Sequence, residues 1–432
     1  MTCRLLALLL LGIVGASAPA LGASDSEARL CRDPALEPPL RVEACARALA
    51  SSSLTKRQQL DLLTARAGAL DELGDYGRAI ADYDSAIVLA PNDAVLHLNR
   101  GVAKIHDGRP ADAIEDYDKA IRLKPAWHLP YFDRAVALGD LGQRAAALKD
   151  YQRAIQRKPD DAWIYVGQGD ALASSGDATR ALTAYDKALT LRPDLDDPRA
   201  KRAEVLLRLD RPAEALSELD RVVARNPSKP RLWQLRGEAK FQLARYADAA
   251  LDLGHALDLA PQDKEVRRAL ARAELGAGDL EGAWHTMSLA LGASENEATD
   301  LSLAAMVALL ANRAAIAEGL VRRAIDIKPG EGSAQAILAL YLRYQGDADG
   351  ARDAAELAVT FAPEDAEIAS VATLAGAEMD AETPAPLPLP ETTPAKKALA
   401  DCVADLGAGD LGAARVAAAG WSLCYLAAVL VR

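Results

Sequence analysis

The chain has 432 residues and a formal net charge of −12, and half of its residues are hydrophobic. A single globular core of this length would normally divide into domains, whereas an array of repeats escapes that limit because each unit contacts only its neighbours. The acidic balance disfavours a nucleic-acid partner and docking on an anionic membrane surface, since both need a basic face.

Residues 1–23 are typical of a secretory signal peptide. Arg4 supplies the positive start, an apolar run follows from Leu5 to Val14, and small residues end the segment at Ala20 or Ala23. The apolar run is too short to span a bilayer, and an uncleaved anchor or a buried helix is the alternative. We therefore expect an exported protein, either periplasmic or extracellular.

Four cysteines remain beyond that segment, and an even number in an exported chain favours disulfides. They allow three pairings. Cys31 with Cys45 is the favoured pair, because prolines at their midpoint stop helices and let the chain fold back. A loop this short contributes about 3 kcal/mol by chain entropy. Cys402 with Cys424 is then the remaining pair, although its register on antiparallel helices is less favourable.

Residues 24–59 are predicted to form an N-terminal helical cap. A helical stripe runs from Leu40 to Ala50, with apolar residues at three- and four-residue steps. Three serines end this helix, and Thr55 is placed to cap the next one.

The stretch from Gly74 to Pro91 recurs at a fixed spacing of 34 residues, as Gly108 to Pro125, Gly142 to Pro159 and Gly176 to Pro193. Such a period predicts a stacked array of helix-turn-helix units. It fits residues 60–365 without insertion, which gives nine repeats. The repeats start at Leu60, Ala94, His128, Ala162, Asp196, Pro230, Lys264, Ala298 and Gly332.

Several positions of the repeat have a direct physical reason. The eighth is always glycine or alanine and the twentieth is always alanine, as two closely crossing helices require. The fifteenth is often glycine, which closes the first helix in a left-handed conformation. The thirty-second is proline except at Glu295, and it stops the second helix.

This pattern resembles the tetratricopeptide repeat family over residues 60–365, and the segment from Arg41 to Leu49 is similar to the cysteine-bearing leader of some exported bacterial members. The resemblance implies an all-α fold, a right-handed α-solenoid of about nine 34-residue repeats with an N-terminal cap and a short tethered C-terminal helical segment. The first helix of each repeat would line a concave groove.

The repeats are not equal. Position 24 is tyrosine in repeats one to four and then changes to Leu219, Leu253, Met287, Val321 and Ala355. Since the stability of such an array is roughly a sum of unit and neighbour terms, we expect repeats seven to nine to be its less stable end.

The chain after the repeats is predicted to form three segments. Residues 366–380 keep a helical stripe and are expected to cap the array, and residues 381–395 form a proline-rich linker. Residues 396–432 include an uncharged run at 416–431, which is too short to span a membrane. A helix packed on the array is therefore favoured over an anchor.

No pattern in the sequence points to catalysis, a cofactor or a metal. Nucleotide-binding, zinc-protease and hydrolase motifs are absent, and the cysteine spacing is wrong for zinc. The five histidines are interpreted as scattered surface or groove side chains. The runs Asp82-Tyr83-Asp84 and Asp116-Tyr117-Asp118 are interpreted as solvated helix faces around a buried tyrosine, in preference to calcium ligands.

The resemblance places positions 2, 5, 9, 12 and 13 of each repeat in the groove. Repeats two to four present an apolar strip there, which favours a partner site, with packing or cover by the C-terminal segment as the alternative. Repeats five to seven present a basic stretch that suits acidic side chains or a carboxylate, unless its arginines are simply solvated. The strip contains Val95, Leu98, Val102, Ile105, Leu129, Phe132, Val136, Trp163 and Val166, and the basic stretch contains Arg208, Arg231, Arg268 and Arg272 beside Gln234, Glu238 and Gln242.

We therefore predict a non-enzymatic interaction scaffold of the cell envelope that binds an extended peptide or a protein partner in its groove. The alternative is a structural subunit of an envelope assembly that contacts partners or the membrane through residues 396–432. An enzyme with its site in that segment is disfavoured, because only Asp401, Asp405 and Asp410 offer chemical groups there.

Overall fold

The computed structural model of the protein describes residues 23–291, 297–365 and 368, and every regular element within these ranges is an α-helix. The helices are α1 (Ala23–Cys31), α2 (Pro38–Leu49), α3 (Lys56–Glu72), α4 (Tyr76–Leu89), α5 (Ala94–His106), α6 (Pro110–Leu123), α7 (Leu129–Asp140), α8 (Arg144–Arg157), α9 (Ala162–Ser174), α10 (Ala178–Leu191), α11 (Asp196–Arg208), α12 (Pro212–Arg225), α13 (Pro230–Gln242), α14 (Tyr246–Leu259), α15 (Lys264–Gly276), α16 (Leu280–Leu291), α17 (Ala298–Leu310), α18 (Ala314–Ile327), α19 (Gly332–Tyr344) and α20 (Ala348–Phe361). Two compact units divide between Pro193 and Asp194, with α1 to α10 in the first and α11 to α20 in the second. Within the described ranges, no helix is both long enough and apolar enough to cross a membrane.

From α3 to α20 the helices pair into consecutive hairpins, one for each 34-residue repeat, which confirms the predicted fold class. A residue with positive φ follows the first helix of every hairpin. It is glycine in six of them, and Asp210, Ala244 and Asn312 take the same conformation at φ 54°, 57° and 60° in the other three. Glycine adopts this conformation without a steric cost, which explains its recurrence at position fifteen.

The close approach of the two helices of a hairpin explains the small residues at positions eight and twenty. A Cβ atom on Gly101 would lie 2.6 Å from the ring of Tyr117, and one on Gly169 would lie 2.6 Å from the ring of Tyr185. The alanines at position twenty, such as Ala113, are fully buried. A larger side chain at either position would therefore push the paired helices apart.

The prediction that the aspartate runs are solvated is wrong for their first members. Asp82 and Asp116 are buried, as is Asp150 in the next repeat. Each binds an arginine that lies 16 residues earlier on the first helix of the same hairpin, and Arg66 Nε donates to Asp82 Oδ2 at 2.7 Å. These carboxylates are partnered because burying an isolated charge is costly. Tyr83 is buried, as predicted.

Two of these arginines, Arg100 and Arg134, also reach the preceding repeat. Arg100 binds Asp84 on α4 at 2.6 Å while it holds Asp116 on α6. In the second unit, Arg236 on α13 binds Asp252 at 2.7 Å and also Asp220 on α12 at 3.2 Å. One arginine thus ties its own hairpin together and joins it to the hairpin before.

The N-terminal cap contains the disulfide that the sequence favoured. Cys31 at the end of α1 is bonded to Cys45 on α2, and both are fully buried against Leu62 of α3. Thr55 caps α3, as predicted, because its side chain accepts from the backbone NH of Gln58, whose own side chain accepts from the NH of Thr55.

Several predictions fall outside the described residues. They are the signal peptide up to residue 22, the C-terminal capping helix at 366–380 apart from Ile368, the linker at 381–395, and the segment 396–432 with Cys402 and Cys424.

Candidate functional site

The apolar strip lies on three neighbouring first helices of the first unit. α5 packs against α7 and α7 packs against α9, so the same face of each helix lies beside that of the next. The side chains of Asp93 and Asp161 cap α5 and α9 by accepting from the backbone NH groups of Val95 and Trp163. These caps fix the start of each helix and so the direction of the side chain at position two. The geometry of this surface is therefore set by helix ends and hairpin packing.

Most of the predicted strip residues keep an open face. Trp163 is 49% exposed and Val95 is 38% exposed, which is high for such large apolar side chains. The others are half-buried: Val102, Ile105, Leu129, Phe132 and Val136.

Two residues of the predicted strip are not on its surface. Leu98 is 6% exposed and packs with Tyr117 inside the α5–α6 hairpin, and Val166 is 4% exposed. Their assignment to the partner-binding face is wrong, because the neighbouring helices cover position five at these two repeats. Both side chains belong to the hydrophobic core.

A carboxylate that the sequence analysis did not single out lies on the same helices. Burial raises the pKa of Asp133 on α7 to about 7. At the equivalent position of α5, Asn99 opposes the rise that burial causes in the pKa of Tyr83. On α9 the polar group lies at position nine instead, where Asp170 accepts from the Tyr185 hydroxyl at 2.6 Å. The sequence did contain a sign of this carboxylate, because Asp133 is a polar residue at position six of a repeat whose neighbouring groove positions are apolar.

Two arginines of the predicted basic stretch, Arg231 and Arg268, are paired with carboxylates. Arg268 on α15 is only 14% exposed and binds Glu265, Glu297 and Asp300 at 2.8, 2.6 and 2.6 Å. The prediction that it offers an open positive charge to a partner is therefore wrong. Arg231 binds Glu204 at 3.1 Å, and Arg208 and Arg272 have interactions of their own.

A cleft of about 560 Å³ opens in the second unit beside α13, α14 and α15. Gln234, Glu238 and Gln242 line it from α13, and Phe241 and Tyr246 form an aromatic wall with ring centroids 5.1 Å apart. The sequence placed the first three of these residues beside the basic stretch but did not predict that they enclose a cavity. A cavity of this size is in the range of ligand pockets.

The histidines and acidic groups of the described residues show no metal centre. No group of three potential ligands is found in those ranges. His97 is buried, with its Nε2 3.0 Å from the carbonyl oxygen of Pro91, so its interpretation as a surface or groove side chain is wrong. His106 is exposed and lies against Tyr76, with its Nδ1 3.0 Å from Asp71 Oδ1.

Hairpins with small residues at the helix crossings and left-handed turns define a helical-repeat protein. The first helices of neighbouring hairpins pack against one another and present a shared face. Family profiles described as tetratricopeptide repeat match residues 64–126, 132–196 and 172–239, which lie between α3 and α13. Over the residues that these profiles match, the chain is a tetratricopeptide repeat protein, and this fold suggests a protein–protein interaction scaffold.

Solved structures of helical-repeat proteins are similar to parts of the chain. MamA (residues 41 to the end) from Desulfovibrio magneticus RS-1 is 25% identical, with a TM-score of 0.37 over 38% of this chain and 93% of that one. A tetratricopeptide repeat protein from Parabacteroides merdae ATCC 43184 is 17% identical, with a TM-score of 0.44 over 58% of this chain and 99% of that one. A search of curated proteins finds no match.

Proposed function

We propose that the protein is a non-enzymatic scaffold of the cell envelope that binds an extended peptide of a partner protein along the apolar strip of its first unit. The observation that carries this proposal is the exposure of Trp163 and Val95 on first helices that also present half-buried Val102, Phe132 and Val136. Large apolar side chains left open together favour a partner contact, and tryptophan is prominent among residues that dominate binding energy.

An extended peptide suits the spacing of these helices. Packed helices lie about 8–10 Å apart, and an extended chain advances about 3.3–3.6 Å per residue. Roughly every third residue of a peptide that crosses α5, α7 and α9 therefore meets a new helix. Its apolar side chains would contact the strip, and its polar backbone would remain near Asn99 and Asp133.

Substitution of Trp163 by alanine tests this proposal. Peptides are selected from a random library on the full-length protein, and the affinity of the best one is measured by fluorescence anisotropy. We expect Trp163→Ala to weaken binding by about 30-fold, because a tryptophan that packs against a bound partner typically contributes about 2 kcal/mol. The selected peptide should carry apolar residues at a spacing of about three.

Val88→Ala is the matched control. Val88 is 79% exposed and lies on α4, a second helix, so its truncation also removes an open apolar side chain but should leave peptide affinity unchanged. Equal affinity of the Trp163→Ala variant and the parent would contradict the proposal, as would equal losses in both variants. Charged substitutions at Leu98 are unsuitable, because they would unfold the α5–α6 hairpin.

Export is part of the same proposal. The buried disulfide between Cys31 and Cys45 supports it, since such bonds persist in oxidising compartments. Mass spectrometry of the protein from fractionated cells should show a chain that begins after Ala20 or Ala23 and is found outside the cytosol. A cytosolic chain that retains its first 20 residues would contradict export. No observation on the described residues favours the alternative in which residues 396–432 make the main contact.

A further inference from the structure

Asp133 is a carboxylate within the apolar strip that has no partner of its own. It shares one face of α7 with Leu129 and Val136, since residues three and four apart on a helix are neighbours. The side chain is half-buried, and among the described residues it forms no hydrogen bond and no salt bridge. A carboxylate that has lost much of its water and has no donor is a group that a bound donor would stabilise.

Two buried hydroxyl groups near Asp133 also lack partners. Tyr117 on α6 is 1% exposed and Tyr151 on α8 is 4% exposed, and neither hydroxyl forms a hydrogen bond within the described ranges. The charge of Asp133 acts on both tyrosines, so both lie close to it. A Cβ atom on Gly167 would lie 2.8 Å from the hydroxyl oxygen of Tyr151. Glycine at position six of α9 therefore leaves room for this hydroxyl between α7 and α9.

The charges that act on this part of the strip are negative. Burial raises the pKa of Tyr151, and Asp170, Asp140 and Asp133 each raise it further. Arg134 follows Asp133 in the chain but is already held by one aspartate on α6 and another on α8. This part of the strip therefore offers negative charge and hydrogen-bond acceptors, and such a surface attracts cations.

The apolar side chains beside Asp133 suit the aliphatic stem of a long cationic side chain. Phe132 and Val136 keep part of their surface open, and the ring of Phe132 packs edge to face on Tyr151 with the centroids 6.0 Å apart. Lysine and arginine typically lay their methylene stems on apolar surfaces and place the charged head among acceptors. A cation near an aromatic ring gains further stabilisation.

We propose that the apolar strip selects a peptide that carries a lysine or an arginine, whose charged group is bound by Asp133 together with the hydroxyls of Tyr117 and Tyr151. Both cationic side chains have only donors, which suits a carboxylate and two phenol oxygens as acceptors. The inference rests on the proposed peptide-binding function and adds a charge preference to it. All of these groups lie within the first unit.

A double-mutant cycle tests the role of Asp133. Peptides are selected from a random library on the full-length protein at pH 8, and the best is remade with norleucine in place of its basic residue, which keeps an aliphatic stem and removes the charge. We expect Asp133→Asn to weaken the basic peptide about tenfold, the usual effect of losing one hydrogen bond to a charged group. The norleucine peptide should be equally weak on the parent and on the variant, so the two losses are not additive.

The affinity of the basic peptide should also follow the ionisation of Asp133. Burial raises the pKa of this carboxyl to about 7, and a bound cation favours its charged form, so binding releases the proton. The parent should therefore bind the basic peptide about tenfold more weakly at pH 6 than at pH 8, whereas Asp133→Asn should show no such loss. Tyr117 and Tyr151 stay protonated across this range, because burial raises the pKa of both.

Glu115→Gln is the control. Glu115 is exposed on α6, a second helix, and has no partner among the residues that the structure describes. Its substitution removes one negative charge from the same unit without changing the strip, so this variant should bind both peptides like the parent. The Asp133→Asn variant should unfold at no lower urea concentration than the parent, because burial already disfavours the ionised carboxylate, and this separates lost binding from lost folding.

The outcomes separate this inference from the proposed function. Selected peptides without a basic residue, losses that add independently, an affinity that is equal at pH 6 and pH 8, or an equal loss in Glu115→Gln each overturn the role of Asp133. The peptide-binding proposal survives these results if Trp163→Ala still weakens the selected peptides. If no peptide is selected on the full-length protein, both proposals fail.

Discussion

Asp133 shows how one residue can set the behaviour of a surface that is otherwise apolar. It lies on α7 between Phe132 and Arg134, and burial raises its pKa to about 7. Burial raises the pKa of Tyr117 and of Tyr151 as well, and the charge of Asp133 raises both further. Near neutral pH, the strip therefore changes between a neutral and a negatively charged form.

The substitution Asp133→Asn should reveal this titration in the folding equilibrium. Between about pH 4 and pH 7 the folded chain holds a proton that the unfolded chain releases, so the free energy of unfolding of the parent falls as pH rises through this window. The Asp133→Asn variant does not lose free energy of unfolding in this way, because its amide does not titrate. Its advantage over the parent, measured by urea unfolding, should grow from pH 4 to pH 7 and then stay constant.

Asp160→Asn provides the comparison of opposite sign. Asp160 is exposed, and its hydrogen bond with Lys158 lowers its pKa. Removing that carboxylate should therefore bring no gain at neutral pH. A stability difference between Asp133→Asn and the parent that does not change with pH would show that Asp133 stays ionised in the folded chain.

At the scale of helices, the arginine–aspartate pairs join consecutive hairpins in a way that the hydrophobic pattern did not reveal. The period of 34, the small crossing residues and the left-handed turns are local or nearly local, and the sequence predicted them correctly. The arginine–aspartate pairs join different helices, so the pattern of hydrophobic and polar residues along one helix does not reveal them. Their signal was nevertheless present, because arginine at position seven recurs with aspartate at position twenty-three in repeats one, two, three and six.

Exposure within the groove was harder to predict for the same reason. A position number assigns a side chain to a helix face, but the size of the neighbouring side chains decides whether that face is covered. Leu98 and Phe132 occupy equivalent positions, yet only Phe132 keeps part of its surface open. The basic stretch was misjudged because the carboxylates that neutralise Arg268 come from a different helix as well as its own.

Arg66→Ala should destabilise the first hairpin strongly. It leaves the Asp82 carboxylate buried without the two hydrogen bonds of 2.7 Å that Arg66 now donates. Breaking a buried pair typically costs about 3–5 kcal/mol, and the partial exposure of Arg66 places this case near 3. Hydrogen exchange of the amides of α3 and α4 should accelerate by roughly 100-fold, since 1.4 kcal/mol corresponds to a factor of ten.

The double variant Arg66→Met with Asp82→Leu shows whether the charge or the volume matters. Apolar residues of similar size often replace a buried ion pair without loss, so the double variant should recover most of the protection. If both variants exchange like the parent, the pair does not stabilise the hairpin. Exchange that is equally fast in both would assign the effect to packing.

On the scale of the whole chain, stability is distributed unevenly for two opposing reasons. Tyrosines such as Tyr83 and Tyr117 fill the hairpins near the N-terminus, whereas Met287, Val321 and Ala355 occupy the same position in repeats seven to nine and bury less surface. Against this, α17 is buried at every residue from Asp300 to Leu309 and belongs to a core that spans α15 to α20. The two effects compete within the second unit.

Hydrogen exchange of the full-length protein decides between them. We expect the amides of residues 264–291 and 297–365 to exchange faster than those of residues 60–193. The stability of a repeat array is roughly the sum of the stabilities of its repeats and of their interfaces, and each later hairpin lacks the aromatic side chain that stabilises the earlier ones. Within the later group α17 should be the slowest, since its surrounding core protects it against local opening. Equal protection from α3 to α20 would contradict the prediction. Slower exchange in α17 than in α5 would show that burial of the whole helix outweighs the loss of the tyrosines.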